Sequence, residues 1–211
     1  MSAVGLLYVG AVLFVNGMML LGHVSGTGAA PLNFFVGALQ VVTPTWLIVS
    51  AGDDGTRIAE AAGLYFFGFT YLWLGINLVT RWPDHGLGWF SLVVAVSGAG
   101  FAAHSWVVLG GSVLAVQWLM WSVLWGAFFV LMARDRRDLA PAVGVLAIGN
   151  ALLSTGLPGF LSLTGAWHDS PGLAGGLAAL GILLLLVCRP VGRLLATPRP
   201  RPLGASPAPR H

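Results

Sequence analysis

Trp118, Trp121 and Trp125 lie within one apolar segment, Val116-Gln117-Trp118-Leu119-Met120-Trp121-Ser122-Val123-Leu124-Trp125. Their spacing of i, i+3, i+7 sets three indoles along one stripe of one helix. An indole is neither nucleophile nor acid. It offers a flat apolar face and one N–H donor. Tryptophan in membrane helices gathers where the ring straddles water and lipid. A ladder over two turns is not such a belt. It packs a helix interface, or it walls a path for a small neutral solute.

Two further stripes share this ambiguity. Leu6, Val9 and Leu13 share a face of the first apolar segment. Phe67 and Tyr71 sit one turn apart on the third. A lone stripe more often marks helix packing. Three stripes on three odd-numbered segments favour a lined path, although periodicity does not decide between the two readings. The polar residues inside apolar segments are the amides Asn16, Asn33, Gln40, Asn77, Gln117 and Asn150. Such amides commonly bond across helices. Asn150 lies mid-segment without a charged partner and is placed to offer a hydrogen bond to a passing solute.

The segments that must hold these residues are membrane spans. The 211 residues are 57% hydrophobic and 8% charged, against about 25% charged in a soluble domain. Long unbroken apolar stretches, not alternating ones, make the class an all-α integral membrane protein. Seven spans are predicted: Ser2–Gly22, Pro31–Ala51, Ile58–Thr80, Gly86–Trp106, Ser112–Ala133, Pro141–Thr164 and Gly172–Cys188. Pro31 and Pro141 are expected to open helices. Pro44 and Pro158 are expected to bend them. A faint repeat of about 55 residues pairs spans one–two, three–four and five–six, as in three hairpins around a pseudo-axis.

Charge sets the orientation. With the N-terminus outside, nine of the ten arginines face the cytoplasm and only Arg57 faces out, a strong positive-inside asymmetry. The chain then reads as a multi-pass protein of the bacterial cytoplasmic membrane. Residues 1–167 form a six-helix unit, 168–190 an added helix, and 191–211 a disordered Pro/Arg-rich cytoplasmic tail. The basic balance comes from loops and tail, so no nucleic-acid partner is expected. A single cysteine, Cys188, excludes an internal disulfide, and no cysteine–histidine set for a metal is present. No phosphate loop or nucleophile–base pair is visible, so neither an enzyme nor a cofactor is expected. The first six spans hold no Asp, Glu, Lys or Arg in their interiors. Ion- and proton-coupled transport ordinarily needs such groups. Their absence favours passive conduction of an uncharged solute.

The same residues resemble the AmiS/UreI family of urea and amide channels. The match runs to about Trp167 and is carried by several motifs in order: Leu7-Tyr8-Val9-Gly10 with Asn16-Gly17, Asn33-Phe34-Phe35-Val36-Gly37, Phe67-Gly68-Phe69-Thr70-Tyr71-Leu72, and the tryptophan ladder. The resemblance implies six helices in three hairpins, a pore in each protomer of a homo-hexamer, and passage of urea or short aliphatic amides. It maps one constriction onto Val9, Leu13, Phe67, Tyr71, Leu124 and Trp125, and a second onto Leu6, Trp118 and Trp121. It also implies a cytosolic amidase or urease as consumer of the solute. The chain departs from acid-gated urea members. Asn150 stands in place of their helix-six glutamate. The outer loops Gly52–Arg57 and Leu109–Ser112 are short and hold no histidine, and a seventh span is added. These departures favour the amide-transporting branch and argue against acid gating. The rival readings are a seven-helix secondary carrier and a non-conducting membrane scaffold.

Overall fold

The computed structural model describes residues 3–197. The predicted tail from Pro198, with Arg199, Arg201 and Arg210, lies outside the described residues. Seven helices are long and apolar enough to cross a membrane: α1 Ala3–Leu20, α2 Gly26–Ala51, α3 Gly55–Thr80, α4 His85–Val107, α5 Ser112–Met132, α6 Arg137–Leu163 and α7 Pro171–Leu195. The protein is thus an all-α, multi-pass membrane protein.

Two helix ends differ most from expectation. α2 begins five residues before Pro31, because Ser25 caps it by accepting a hydrogen bond from the Gly28 N–H. The Gly-Thr-Gly start conceals this in the sequence, since glycine is a poor helix former. α7 continues past Cys188 to Leu195 with Pro190 inside it. Residues 191–195 therefore belong to the helix and not to the tail. Arg193 in its last turn suits the negative end of the helix dipole.

The closest neighbours in space are α2 with α3, α4 with α5, and α1 with α6. Glycine permits each approach. A Cβ on Gly159 would stand 2.5 Å from the Leu7 nitrogen, and one on Gly17 2.7 Å from the Gly144 carbonyl. A Cβ on Gly88 would lie 2.5 Å from the Ala133 nitrogen. Without side chains there, backbones meet directly, which compensates for the weak hydrophobic drive between helices in lipid. α7 packs on the outside against α5 and α6, burying only Ala174, Leu177, Cys188 and Gly192.

Some of the polar groups inside the bundle pair across helices. Asn16 and Asn33 exchange amide hydrogen bonds of 3.0 and 2.8 Å between α1 and α2. Asn33→Leu should leave Asn16 unpaired and cost about 0.6–2 kcal/mol. A double-mutant cycle by thermal unfolding in detergent should show Asn16→Leu adding little once Asn33 is gone. Full additivity would deny the pair any coupling.

Pro158 lacks the N–H that would satisfy the Ser154 carbonyl four residues earlier. Gln117 of α5 takes that carbonyl, donating from Nε2 at 2.8 Å. The expected disturbance at Pro158 appears as a π-helical stretch, Ala151–Gly156, just before it. Such widened turns relieve a helix of a blocked hydrogen bond.

At the end of the bundle that carries most arginines, α7 is tied to the α1–α2 turn. The Thr197 N–H donates to the Leu21 carbonyl at 2.9 Å, and the His23 Nε2 lies 2.9 Å from the Leu195 carbonyl. Gly22 turns there with a φ of +90°, open to glycine at no steric cost.

Candidate pore

Nine of the ten residues singled out in the sequence come together. Leu6, Val9, Leu13, Phe67, Tyr71, Trp118, Trp121, Leu124 and Trp125, from α1, α3 and α5, are buried in one hydrophobic cluster to which the other helices also contribute. The helical period accounts for this. Each stripe occupies one inward face, while outward positions such as Phe35, Trp46, Val96 and Leu186 are exposed. Trp46 and Trp106 lie near one end of the bundle and Trp82 and Trp89 near the other, all exposed. Those four fit interfacial belts, in contrast to the buried ladder.

Phe67 is the hub. Its ring meets Trp121 edge-on at 5.2 Å and 87°, Trp125 at 5.0 Å and 90°, and Trp118 at 5.9 Å and 40°. Edge-to-face contacts suit the aromatic quadrupole. Trp118 in turn stacks on Phe101 of α4 at 4.8 Å and 20°. A Cβ on Gly63 would touch the Trp118 ring at 3.0 Å, so this glycine within α3 makes room for that indole.

Both deeper indoles are anchored. Trp125 Nε1 donates to Thr70 Oγ1 at 3.1 Å, and Trp121 Nε1 donates to Ser154 Oγ at 3.0 Å. Ser154, Phe101 and Gly63 escape notice in the sequence, and Thr70 stands there only within a motif, with no role of its own. A hydroxyl in a helix routinely bonds its own i−4 carbonyl and so leaves no periodic signal. Thr70 was findable beside Tyr71, and Ser154 one turn after Asn150.

Asn150 is set apart from the other nine. Its Nδ2 donates to the Leu146 carbonyl at 2.9 Å, and its Oδ1 lies 3.0 Å from the Ser154 hydroxyl. Its amide is engaged within α6. Asn150 borders an apolar crevice of about 230 Å³ between α5, α6 and α7, with Leu146, Met120, Gly181 and Leu184.

A second cavity, of about 170 Å³, leads from the arginine-rich end to the cluster. It runs from Asp84 and Arg137 past Leu78 and Asn16 to Tyr71 and Leu13. Arg137 holds Asp84 at 2.7 Å and Asp135 at 2.9 Å, so the mouth pairs its charges. Arg137 donates both hydrogen bonds, from Nη2 to Asp84 and from Nε to Asp135. At the inner end, the Tyr71 hydroxyl is buried without a hydrogen-bond partner. Among the described residues no group of His, Cys, Asp or Glu is arranged to hold a metal.

The fold is an all-α membrane bundle in which α3 and α5 bring aromatic rings together beyond a cavity whose mouth holds paired charges. The AmiS/UreI family transporter profile matches residues 1–166. A protein of Mycolicibacterium smegmatis named as a transporter of amidate substrates is 48% identical over 94% of this chain and 93% of its own. The transporter protein AmiS2 of Rhodococcus erythropolis is 45% identical over 96% and 99%. The closed-state structure of the Helicobacter pylori urea channel superposes with a TM-score of 0.72, at 30% identity, over 80% of this chain and all of that one. This chain belongs to the AmiS/UreI family, whose members are named as transporters and channels rather than enzymes. The family match ends before α7 begins at Pro171.

Proposed function

We propose that this protein is a passive channel for urea and short neutral amides. Each protomer would carry a path walled by Leu6, Val9, Leu13, Phe67, Tyr71, Trp118, Trp121, Leu124 and Trp125. The observation that carries this reading is the cavity that ends at an unpartnered Tyr71 hydroxyl against the aromatic cluster. A planar amide fits between ring faces while its polar edge meets that hydroxyl. An ion finds no replacement for its water among carbon walls. The rings already touch, so a solute would enter by displacing side chains and not by filling a standing hole. Asn150 would support the wall from behind.

The M. smegmatis relative named for amidate substrates aligns over 94% of this chain, which supports amides beside urea as solutes. Membership of the AmiS/UreI family is the support for a homo-hexameric ring in the membrane. A cytosolic amidase or urease would consume what enters. Arg81, Arg134, Arg136, Arg137, Arg189 and Arg193 share one end of the alternating helices, which supports an outer N-terminus and a cytoplasmic C-terminus in the bacterial cytoplasmic membrane.

Stopped-flow light scattering on proteoliposomes tests the reading, with urea and acetamide gradients at pH 5 and pH 7.5. The expected flux is fast, linear in solute and equal at the two values, because the nine wall residues hold no carboxylate, imidazole or amine. At the arginine-rich end Arg136 donates to Asp138 from Nε at 2.8 Å and from Nη2 at 2.9 Å. Saturating, gradient-coupled flux would favour a carrier, and no flux above empty liposomes a scaffold. Flux confined to pH 5 would restore acid gating.

A further inference from the structure

We propose that Thr70 of α3 and Ser154 of α6 set the size selectivity of the path by tying back the indole N–H groups of Trp125 and Trp121. The inference rests on the channel reading above and extends it to two residues outside the wall.

Each tie is a closed chain of donors and acceptors. The Trp125 N–H donates to Thr70 Oγ1 at 3.1 Å, and the Thr70 hydroxyl spends its proton on the Phe66 carbonyl at 2.6 Å. The Trp121 N–H donates to Ser154 Oγ at 3.0 Å, and that hydroxyl donates to the Asn150 carbonyl at 2.9 Å or to its Oδ1 at 3.0 Å. Both indoles, Thr70, Ser154 and Asn150 are buried, and Phe66 is partly so. Neither hydroxyl keeps a free proton, so each serves its indole only as an acceptor. The π-helical stretch in α6 brings Ser154 into this role, one turn beyond Asn150.

Two consequences follow for the wall. An indole free to change rotamer would present either its face or its N–H to a solute, and the gap beside Phe67 would vary. Tied indoles hold their edge-to-face contacts with Phe67 and present carbon alone. Tyr71 then remains the polar group of the cluster without a partner. A narrow gap with one hydroxyl distinguishes a small amide from a longer one by fit, not by binding strength. A rigid first layer of residues needs supporting hydrogen bonds behind it, and these two hydroxyls supply them.

The test compares butyramide with urea permeability in proteoliposomes of the full chain, for Thr70→Val, Ser154→Ala and Thr70→Ser. Valine keeps the shape of threonine without the oxygen, and serine keeps the oxygen. Thr70→Val and Ser154→Ala should each raise the butyramide-to-urea ratio roughly three- to tenfold, the range one neutral hydrogen bond covers. Ultraviolet resonance Raman difference spectra should show one indole N–H losing its hydrogen bond in each. Thr70→Ser should keep both the ratio and the spectrum. An unchanged ratio in both oxygen-less variants would overturn the proposal, as would a Thr70→Ser variant that behaves like Thr70→Val. A wild-type protein that passes neither solute overturns the channel reading first, and this selectivity role with it. That outcome is distinguished because it appears before any variant is made.

Discussion

Trp125→Ala is expected to abolish the size limit for amides, raising butyramide permeability relative to acetamide by about tenfold or more. Trp125 is fully buried, touches Phe67 edge-on at 5.0 Å and Phe128 at 5.8 Å, and is anchored on Thr70. Removing the indole deletes one side of the gap beside Phe67, and neighbouring rings can only partly refill it. Discrimination by one methylene in a fitted pocket is worth roughly 10–200-fold, and that is the margin at risk. Folding also suffers, because deleting a large buried ring costs about 3–5 kcal/mol in protein cores. Flux is therefore normalised to protein that remains monodisperse in detergent. Trp82→Ala serves as control, since Trp82 is exposed at the bundle surface and should leave the ratio unchanged. If Trp125→Ala shows the wild-type ratio, Trp125 does not border the path.

The second large effect belongs to stability. Gly10→Val should separate α1 from α6 and cost about 3 kcal/mol or more, at or beyond the usual range for overpacking. A Cβ at Gly10 falls well inside contact with the Gly156 backbone and 3.0 Å from the Ala151 carbonyl. These are backbone atoms, which cannot swing aside as a side-chain tip can. Gly159 against Leu7 and Gly17 against Gly144 continue the same seam. The contrast is Gly100 in α4, where a Cβ meets nothing within 4 Å. Gly100→Ala should be neutral or slightly stabilising, as alanine is the better helix former. Thermal unfolding in detergent, followed by circular dichroism, checks both. Equal melting temperatures for the two variants would remove the seam from the account.

Much of this molecule was legible before its structure. The seven spans follow from apolar length alone, because lipid demands that a backbone satisfy itself. The inward stripes follow from the 3.6-residue period. What escaped were features that depend on which neighbour arrives. The extension of α7 through Pro190 was hidden because Arg189-Pro190 looks like a stop, yet membrane helices tolerate proline. Asn150 looked like an offered hydrogen bond because a sequence shows a polar group but not whether its own helix has claimed it. Ser154 and Thr70 were passed over for the reverse reason. Their hydroxyls seem occupied locally, but an oxygen that donates to one carbonyl can still accept from an indole. Gln117 has meaning only beside the carbonyl that Pro158 leaves free.

The pairing of α1 with α6 carries a consequence for biosynthesis. The first helix to enter the membrane has its tightest partner among the last to be made. At roughly 5–20 residues per second, α1 waits on the order of ten seconds before the Gly144–Gly159 face leaves the ribosome. Until then Gly10 and Gly17 present bare backbone to lipid or to the insertion machinery. The bundle can be threaded in order, but its ring closes only when the newest helices return to the oldest, and α7 then fastens the turn where α1 ends. A nascent chain stalled before α6 would hold five inserted helices and still lack the seam that makes them one protein.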